Sequence, residues 1–177
     1  MPTHIVFDIE TQNTFQEVGG HYPERLQISV AVTYNTADQT YRRYAEADAA
    51  QLALDLSEAD LVIGYNLLGF DYPVLQQYTQ AVDLAKLPTL DMMVEIQKRI
   101  GFRIGLDAVA SATLQVGKSA DGLQAVQWWR EGRIAELFDY CRQDVEVTYR
   151  VYEFGRQHRF IRYYDRQYRI KTVPIAW

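Results

Sequence analysis

The sequence predicts an α/β fold in which a mixed sheet is flanked by helices. Three β-rich segments occupy the first 45 residues, at 3–9, 26–34 and 39–45. Polar or glycine-containing turns separate them, which is typical of a three-stranded meander. Helical and strand patterns alternate along the rest of the chain. Strands followed by such an alternation indicate a sheet covered by helices.

The elements after the meander follow from residue type and periodicity. Residues 48–57 have helical composition, with Asp48 as the expected N-cap. Residues 60–66 form a short apolar run that predicts a buried strand entering a loop. Further helices are predicted over 72–80, 92–100, 106–114, 122–131 and 133–157. Pro73 lies in the first turn of the helix over 72–80, where proline is tolerated.

A single domain is expected over residues 1–177. A chain of this length, 48% hydrophobic and 13% aromatic, is long enough for one core and short for two. It contains no internal repeat or linker. It also lacks an apolar run of about 18 residues and the layout of a signal peptide, so we expect a cytoplasmic protein without a membrane association. The single cysteine, Cys141, excludes an internal disulfide, and we expect it to pack rather than react.

Two carboxylates end the first predicted strand, in the stretch HIVFDIET at residues 4–11. Because a strand alternates its side chains, Asp8 and Glu10 point to one face, and Phe7 and Ile9 to the other. Like charges this close repel one another. Either water screens them at an exposed edge, or a cation lies between them.

Asp71 follows the apolar run 61–65, at the carboxyl end of a predicted strand. Ligands gather at such ends in open α/β sheets. The sequence leaves two interpretations open, a functional acid or the N-cap of the helix that contains Pro73. Asn66, earlier in the same loop, is explained equally well as a turn residue.

Asp144 lies in the apolar stripe of the long helix predicted over 133–157. The stripe repeats at spacings of three and four residues. It consists of Ile134, Leu137, Cys141, Val145, Thr148 and Tyr152. A carboxylate turned toward a core is costly unless a positive or hydrogen-bonding group meets it. Tyr140 lies one turn earlier on the same side, so its hydroxyl and Asp144 can share one site.

The C-terminal segment 158–177 is basic and aromatic in a chain whose net charge is −5. Residues 150–177 contain six Arg and one Lys against Glu153 and Asp165. Arginine interleaved with Phe and Tyr suits phosphates and stacked bases. The alternative is an amphipathic edge hairpin whose aromatic rings pack inward and whose arginines are solvated.

Three stretches together resemble a known enzyme family. FDIET at 7–11, NLLGFD at 66–71 and YCRQDV at 140–145 are similar, in order and spacing, to the three motifs of the DEDD superfamily of 3′-to-5′ exonucleases. A tyrosine four residues before the last aspartate resembles the tyrosine (DEDDy) branch. LDAVASATL at 106–114 and GKSADGLQAVQWWREG at 117–132 resemble stand-alone bacterial relatives of the family B DNA polymerase proofreading domain. The resemblance implies a ribonuclease H-like α/β fold with a mixed five-stranded sheet.

The resemblance also implies a reaction. The expected activity is metal-dependent 3′-5′ exonucleolytic hydrolysis of single-stranded nucleic acid, DNA favoured, to nucleoside 5′-monophosphates. One Mg²⁺ or Mn²⁺ ion would be held by Asp8, Glu10 and Asp144, and a second by Asp8 and Asp71. Oxygen ligands suit these ions, and two such ions can together hold a phosphodiester between them. Tyr140 would orient the attacking water, because a phenol is a poor base at neutral pH.

Substrate contacts and competing classes complete the expectations. The family uses positions that match Thr11 and Asn66 to hold the terminal nucleotide, and Lys118 is a candidate phosphate contact. The expected partners are 3′ ends of single-stranded DNA or RNA, and a polymerase or a helicase. Two other classes stay open: a non-catalytic nucleic-acid-binding or partner-docking module, and an endonuclease or resolvase on the same fold. The presence of all four carboxylates and Tyr140 favours catalysis.

Overall fold

A computed structural model of the protein describes residues 2–116 and 122–177. Five strands form the main sheet, in the order β3-β2-β1-β4-β5. They are β1 (His4–Thr11), β2 (Ile28–Asn35), β3 (Thr40–Ala45), β4 (Leu61–Gly64) and β5 (Thr89–Asp91). Strands β1, β2 and β3 pair antiparallel, whereas β4 pairs parallel with both β1 and β5. The predicted mixed sheet and its N-terminal meander are therefore confirmed.

Helices cover both faces of this sheet. They are α1 (Ala49–Ser57), α2 (Tyr72–Gln76), α3 (Met92–Ile100), α4 (Leu106–Leu114), α5 (Gly122–Arg130) and α6 (Ile134–His158). Every predicted helix is present, and α3 and α4 have the predicted bounds. In the described part of the chain, no helix combines the length and apolar character needed to cross a lipid bilayer.

The central strand β1 separates two apolar cores. Ile5, Phe7 and Ile9 are buried on the face that α1 and α2 cover. Val6 points the other way, into a second core that contains the apolar stripe of α6. The period of two that the sequence predicts for β1 is confirmed. It places Asp8 and Glu10 on the α6 face.

Two local expectations are wrong. The side chain of Asp48 does not cap α1; its carboxylate accepts a hydrogen bond from the backbone N–H of Ala45, at the start of a short 3₁₀ turn. The helix predicted over 72–80 ends at Gln76. It stops there because the Gln76 amide hydrogen-bonds the backbone carbonyls of Thr79 and Val82 and so supports a loop instead of a further turn.

The C-terminal segment forms a separate two-stranded hairpin, β6 (Phe160–Tyr164) and β7 (Ile170–Pro174), outside the main sheet. One face of it is apolar and buried in the α6 core through Ile161 and Val173. The expected hairpin is therefore present, although it does not lie at an edge of the five-stranded sheet. The expectation that its aromatic rings pack inward is wrong for Tyr164 and Tyr168, which are exposed. Gly155 of α6 is required here, because a Cβ atom would collide with Ile175 and Trp177.

Candidate metal centre

Three carboxylates from two elements converge at the carboxyl end of β1. Asp8 and Glu10 project from β1, and Asp144 projects from α6, which packs across the same face of the sheet. Each offers one oxygen, and these oxygens all lie within 4.8 Å of one another. The separation is small enough for one cation to contact all three. A hard donor set of this kind suits a divalent ion such as Mg²⁺ or Mn²⁺.

The strand itself aims the first two acids. β1 pairs residue by residue with β2 up to Glu10, and the register then shifts between Glu10 and Thr11. Such a bulge bends a strand locally and often occurs beside active sites. Glu10 is buried, with 8% of its surface exposed, so its charge is removed from bulk water.

The α6 stripe places Asp144 and Tyr140 together, as the spacing predicts. Leu137, Cys141 and Val145 are fully buried in the stripe. Asp144 is half-buried at its margin, and the Tyr140 hydroxyl donates a hydrogen bond to the Asp144 carboxylate. The ring of Trp128 packs edge-on against Tyr140, with 5.7 Å between ring centroids. The phenol is therefore held from both ends, by a carboxylate and by an aromatic wall.

Asp71 lies beside this cluster but outside the group of three. A single-turn π-helix over Leu67–Asp71 carries it, and its Oδ1 accepts the backbone N–H of Ile9 at 3.0 Å. Its side chain makes no N-cap hydrogen bond to α2, so the capping interpretation is wrong. Asp71 is tied instead to the backbone between the two acids of β1.

The electrostatics of the site are those of crowded anions. Burial, and then the charges of neighbouring carboxylates, raise the pKa of Asp8, Glu10 and Asp71 well above their usual values. Within the described chain, none of the three forms an ion pair with Lys or Arg. The charge of Asp8 raises the pKa of Glu10, and the charge of Asp144 raises the pKa of both. A divalent cation between these carboxylates would relieve the repulsion.

Cys141 completes the wall behind Asp8. Its thiol lies 3.4 Å from the backbone oxygen of Asp8 and 3.7 Å from its Oδ2. Burial, and then the surrounding carboxylates, raise the pKa of Cys141. The residue stays a neutral thiol that packs against Asp8, which agrees with the expectation from the sequence.

One buried acid at the site escaped the sequence analysis. Asp91 ends β5, and its carboxylate accepts backbone N–H groups from Asn66 and Leu68 in the loop that leads to Asp71. It also caps α3, by accepting the N–H groups of Met93 and Val94. The available signal was an aspartate directly before the helical pattern 92–100, which predicts an N-cap. The bonds to the 66–68 loop depend on the tertiary fold and leave no such signal.

The three predicted substrate contacts have different outcomes. Thr11 is buried at the rim of a pocket next to Glu10. Asn66 adopts a left-handed conformation with φ of 71°, and its Oδ1 accepts a hydrogen bond from Arg103 at 2.9 Å. Lys118 lies outside the described residues. Thr11 therefore lies next to Glu10 at the end of β1, whereas Asn66 lies beyond β4 in the loop that leads to Asp71.

The pocket next to Glu10 has a volume of about 340 Å³ and mostly apolar walls. Phe15, Leu26 and Phe70 line one side, and Leu123 and Val126 of α5 line the other. Such a pocket, with a few polar groups at one end, is the usual form of a small-ligand site. The acids and the pocket together form one continuous candidate site.

This combination defines a class: an α/β protein with a mixed sheet and an acidic centre suited to divalent metals. The chain belongs to the RNase_H superfamily, whose family model matches residues 5–154. The ribonuclease H-like fold expected from the sequence is thereby confirmed. Among curated proteins, no sequence matches this chain.

A solved structure supports the same fold. The family B DNA polymerase from the hyperthermophilic archaeon Pyrobaculum calidifontis is similar, with a TM-score of 0.66 and 18% sequence identity. The match covers 88% of this chain and 24% of the polymerase chain. This chain therefore corresponds to about a quarter of the polymerase, and at this identity the likeness shows the fold alone.

Proposed function

We propose that the protein is a metal-dependent 3′-5′ exonuclease that acts on single-stranded nucleic acid, with DNA favoured, and releases nucleoside 5′-monophosphates. The observation that carries the proposal is the convergence of Asp8, Glu10 and Asp144 within 4.8 Å, with the Tyr140 hydroxyl bonded to one of them. Buried anions this close need cations to stay ionised together at neutral pH.

Each residue of the site would have a separate role in the reaction. Asp8, Glu10 and Asp144 would hold one Mg²⁺ or Mn²⁺ ion, and Asp8 with Asp71 a second. When bound, such ions lower the pKa of water, neutralise phosphate charge and stabilise a departing oxyanion. Tyr140 would hold the attacking water through its hydroxyl. It is not a base, because burial and the nearby carboxylates raise its pKa far above neutrality.

The apolar pocket supports action at a chain end. Its volume of about 340 Å³ lies near the lower limit of ligand pockets, about 300 to 1,000 Å³. This volume favours one terminal nucleotide, with its base against Phe15 and Phe70 and its sugar toward Thr11. A duplex offers no free base to such a pocket, so the preferred substrate is a single strand.

The structural neighbour favours DNA and a polymerase context. That protein is a DNA polymerase, and the corresponding part of it has the same fold as this chain. We therefore expect the protein to act beside a polymerase or a helicase that exposes 3′ ends.

Digestion of single strands tests the proposal. DNA and RNA of matched sequence, labelled at the 5′ end, are incubated with the protein and Mg²⁺, Mn²⁺ or EDTA. The expected result is a ladder that shortens one nucleotide at a time from the 3′ end, with Mg²⁺ or Mn²⁺ only. Internal fragments at the earliest times would indicate an endonuclease. Binding without cleavage in every metal would indicate a non-catalytic module.

A further inference from the structure

A groove that the metal centre does not use runs between the 101–105 loop and the C-terminal hairpin. We call it the hairpin groove. Phe102, Arg103 and Ala108 line one wall, Tyr163, Tyr164 and Arg166 line the other, and the volume is about 550 Å³. A second depression of about 510 Å³ shares Tyr164, Asp165 and Arg166, includes Asp107 of α4 and extends to Tyr168. We propose that this groove binds the single strand upstream of the 3′ end, as a second nucleic-acid site.

Direct contacts connect the groove to the candidate active site. Arg103 donates a hydrogen bond to the Asn66 side chain at 2.9 Å, and the Tyr65 hydroxyl donates to the backbone oxygen of Ile104 at 2.8 Å. The Phe102 ring then packs edge-on against Tyr163 of β6, with 5.9 Å between centroids. The groove therefore begins at the loop that carries Asp71, where a strand with its 3′ end at the acids would leave the site.

The hairpin turn is built to present positive charge. Asp165 is the one acid between 159 and 171, against five basic residues. Its Oδ1 accepts the N–H groups of Gln167 and Arg169, and its Oδ2 pairs with the Arg169 side chain at 2.9 Å. The acid thus serves the turn itself. Arg166, in contrast, is exposed and forms no ion pair within the described residues.

Aromatic rings lie beside this charge. Phe102, Tyr164 and Tyr168 are exposed by 49%, 38% and 87%, so none of them is explained by the core. Exposed rings next to an unpaired arginine match a strand in which flat bases alternate with phosphates.

Electrostatics favour nucleic acid as the occupant. The chain carries a net charge of −5, and the acids at the active site repel phosphates when no metal is bound. A polyanion needs positive charge along its path to such a site. In the hairpin groove, Arg103 supplies it at the active-site loop and Arg166 supplies it at the hairpin turn. The inference rests on the proposed function, because that function sets which end of the strand enters the acidic site.

Binding without divalent cations tests the groove separately from cleavage. Fluorescence anisotropy in EDTA measures the binding of labelled single-stranded DNA of about 4 and about 16 nucleotides to the protein. The variants are Arg166→Ala and Tyr168→Ala. Tyr168→Phe is the matched control, because it keeps the ring and a Cβ atom at the same φ of 56°. Lys86→Ala is the control for Arg166→Ala. It removes an exposed positive charge on the opposite, α1/α2 side of the sheet, where nearby Leu84 is buried.

The groove predicts a specific pattern. Tyr168→Ala should weaken binding of the longer strand by about fivefold to a hundredfold, and Tyr168→Phe should not. Arg166→Ala should weaken it and reduce the slope of log K against log salt by about 0.7, the value for one phosphate contact on a single strand. Lys86→Ala should leave the affinity for the longer strand and the salt slope unchanged. Binding of the short strand should not respond to any of these substitutions.

Three results would overturn the inference: no binding of the longer strand, equal binding by all variants, or competition by polyglutamate that depends on Arg166 and Tyr168. The last would make the hairpin a docking surface for an acidic protein segment. Cleavage with Mg²⁺ is measured in parallel. If Arg166→Ala and Tyr168→Ala do not weaken binding of the longer strand but cleavage is intact, only this inference is refuted. If both substitutions weaken binding but the protein does not cleave, only the proposed exonuclease is refuted.

Discussion

Asp144→Asn distinguishes a metal ligand from a buried structural acid. The amide keeps the shape of the side chain and can still accept the Tyr140 hydroxyl, but it loses the charge. Two full charges separated by 4.8 Å, the upper limit in this cluster, repel by about 3.5 kcal/mol at an effective dielectric of about 20. The raised pKa values of Asp8 and Glu10, which favour protonation, and the partial exposure of Asp144 reduce this figure. We expect the variant to gain about 1 to 2 kcal/mol of stability in EDTA.

Asp91→Asn is the matched control. Among the described residues, the Asp91 carboxylate meets four backbone N–H donors and forms no ion pair: Oδ1 accepts from Asn66, Met93 and Val94, and Oδ2 accepts from Leu68. An amide can replace Oδ1 but turns an NH₂ group toward the Leu68 N–H. One buried donor is then left without an acceptor, so we expect a loss of about 1 to 3 kcal/mol.

Urea unfolding in EDTA and single-turnover cleavage in Mg²⁺ are the two assays. Asp144→Asn should unfold at higher urea than the wild type, and its cleavage should slow by at least about a thousandfold, which is about 4 kcal/mol of barrier. Adding Mg²⁺ should stabilise the wild type more than the variant. A variant that is less stable than the wild type and still cleaves would refute the reasoning, because Asp144 would then be an ordinary satisfied acid.

Other perturbations address the metals, the water and the shared ligand. EDTA should abolish cleavage, and Mg²⁺ at about 100 times its Kd should stabilise the protein by about 2.7 kcal/mol, seen as a higher Tm; robust hydrolysis in EDTA would contradict the metal-dependent mechanism. Tyr140→Phe should slow single-turnover cleavage about thirtyfold to a thousandfold without changing Mg²⁺ affinity in a direct titration, and unimpaired cleavage would make the tyrosine a packing residue. Asp8→Ala should slow cleavage more than Tyr140→Phe, because it removes an acid that faces both Glu10 and Asp144; a smaller effect would exclude Asp8 as a shared ligand.

Periodicity predicted most of the scaffold and the placement of the acids. The period of two in β1 placed Asp8 and Glu10 on one face, and the spacing of three and four in α6 placed Asp144 beside Tyr140. These signals are local and repeat over at least two turns or strand pairs, so tertiary contacts do not override them. The π-helical turn that carries Asp71 has no such period, which is why a helix cap stayed an equal alternative for that residue.

The elements that escaped prediction are short or depend on distant partners. β5 has three residues, too few to show alternation. The hairpin follows α6 directly, but it also packs on α4, where the hydrogen bonds between Thr113 and Arg162 join positions 49 residues apart. Its composition alone therefore fitted both a nucleic-acid segment and a packed hairpin, of which the hairpin was favoured. The structure shows that the two descriptions are compatible: Ile161 and Val173 bury one face, and the turn between the strands keeps Arg166 and Tyr168 in solvent.

Asp91 and Asp144 show what the spacing of residues alone could not distinguish. Both are aspartates beside apolar residues, and both lie at least partly out of water. Asp91 meets four backbone donors, whereas Asp144 shares its space with two other carboxylates. Only the folded chain reveals this difference, because two of the four donors come from the 66–68 loop and the two carboxylates come from β1. Asp144 faces Asp8 and Glu10, and this group of acids is where a cation is needed. Asp91 faces N–H donors instead, and it holds the loop that carries Asp71 next to that group.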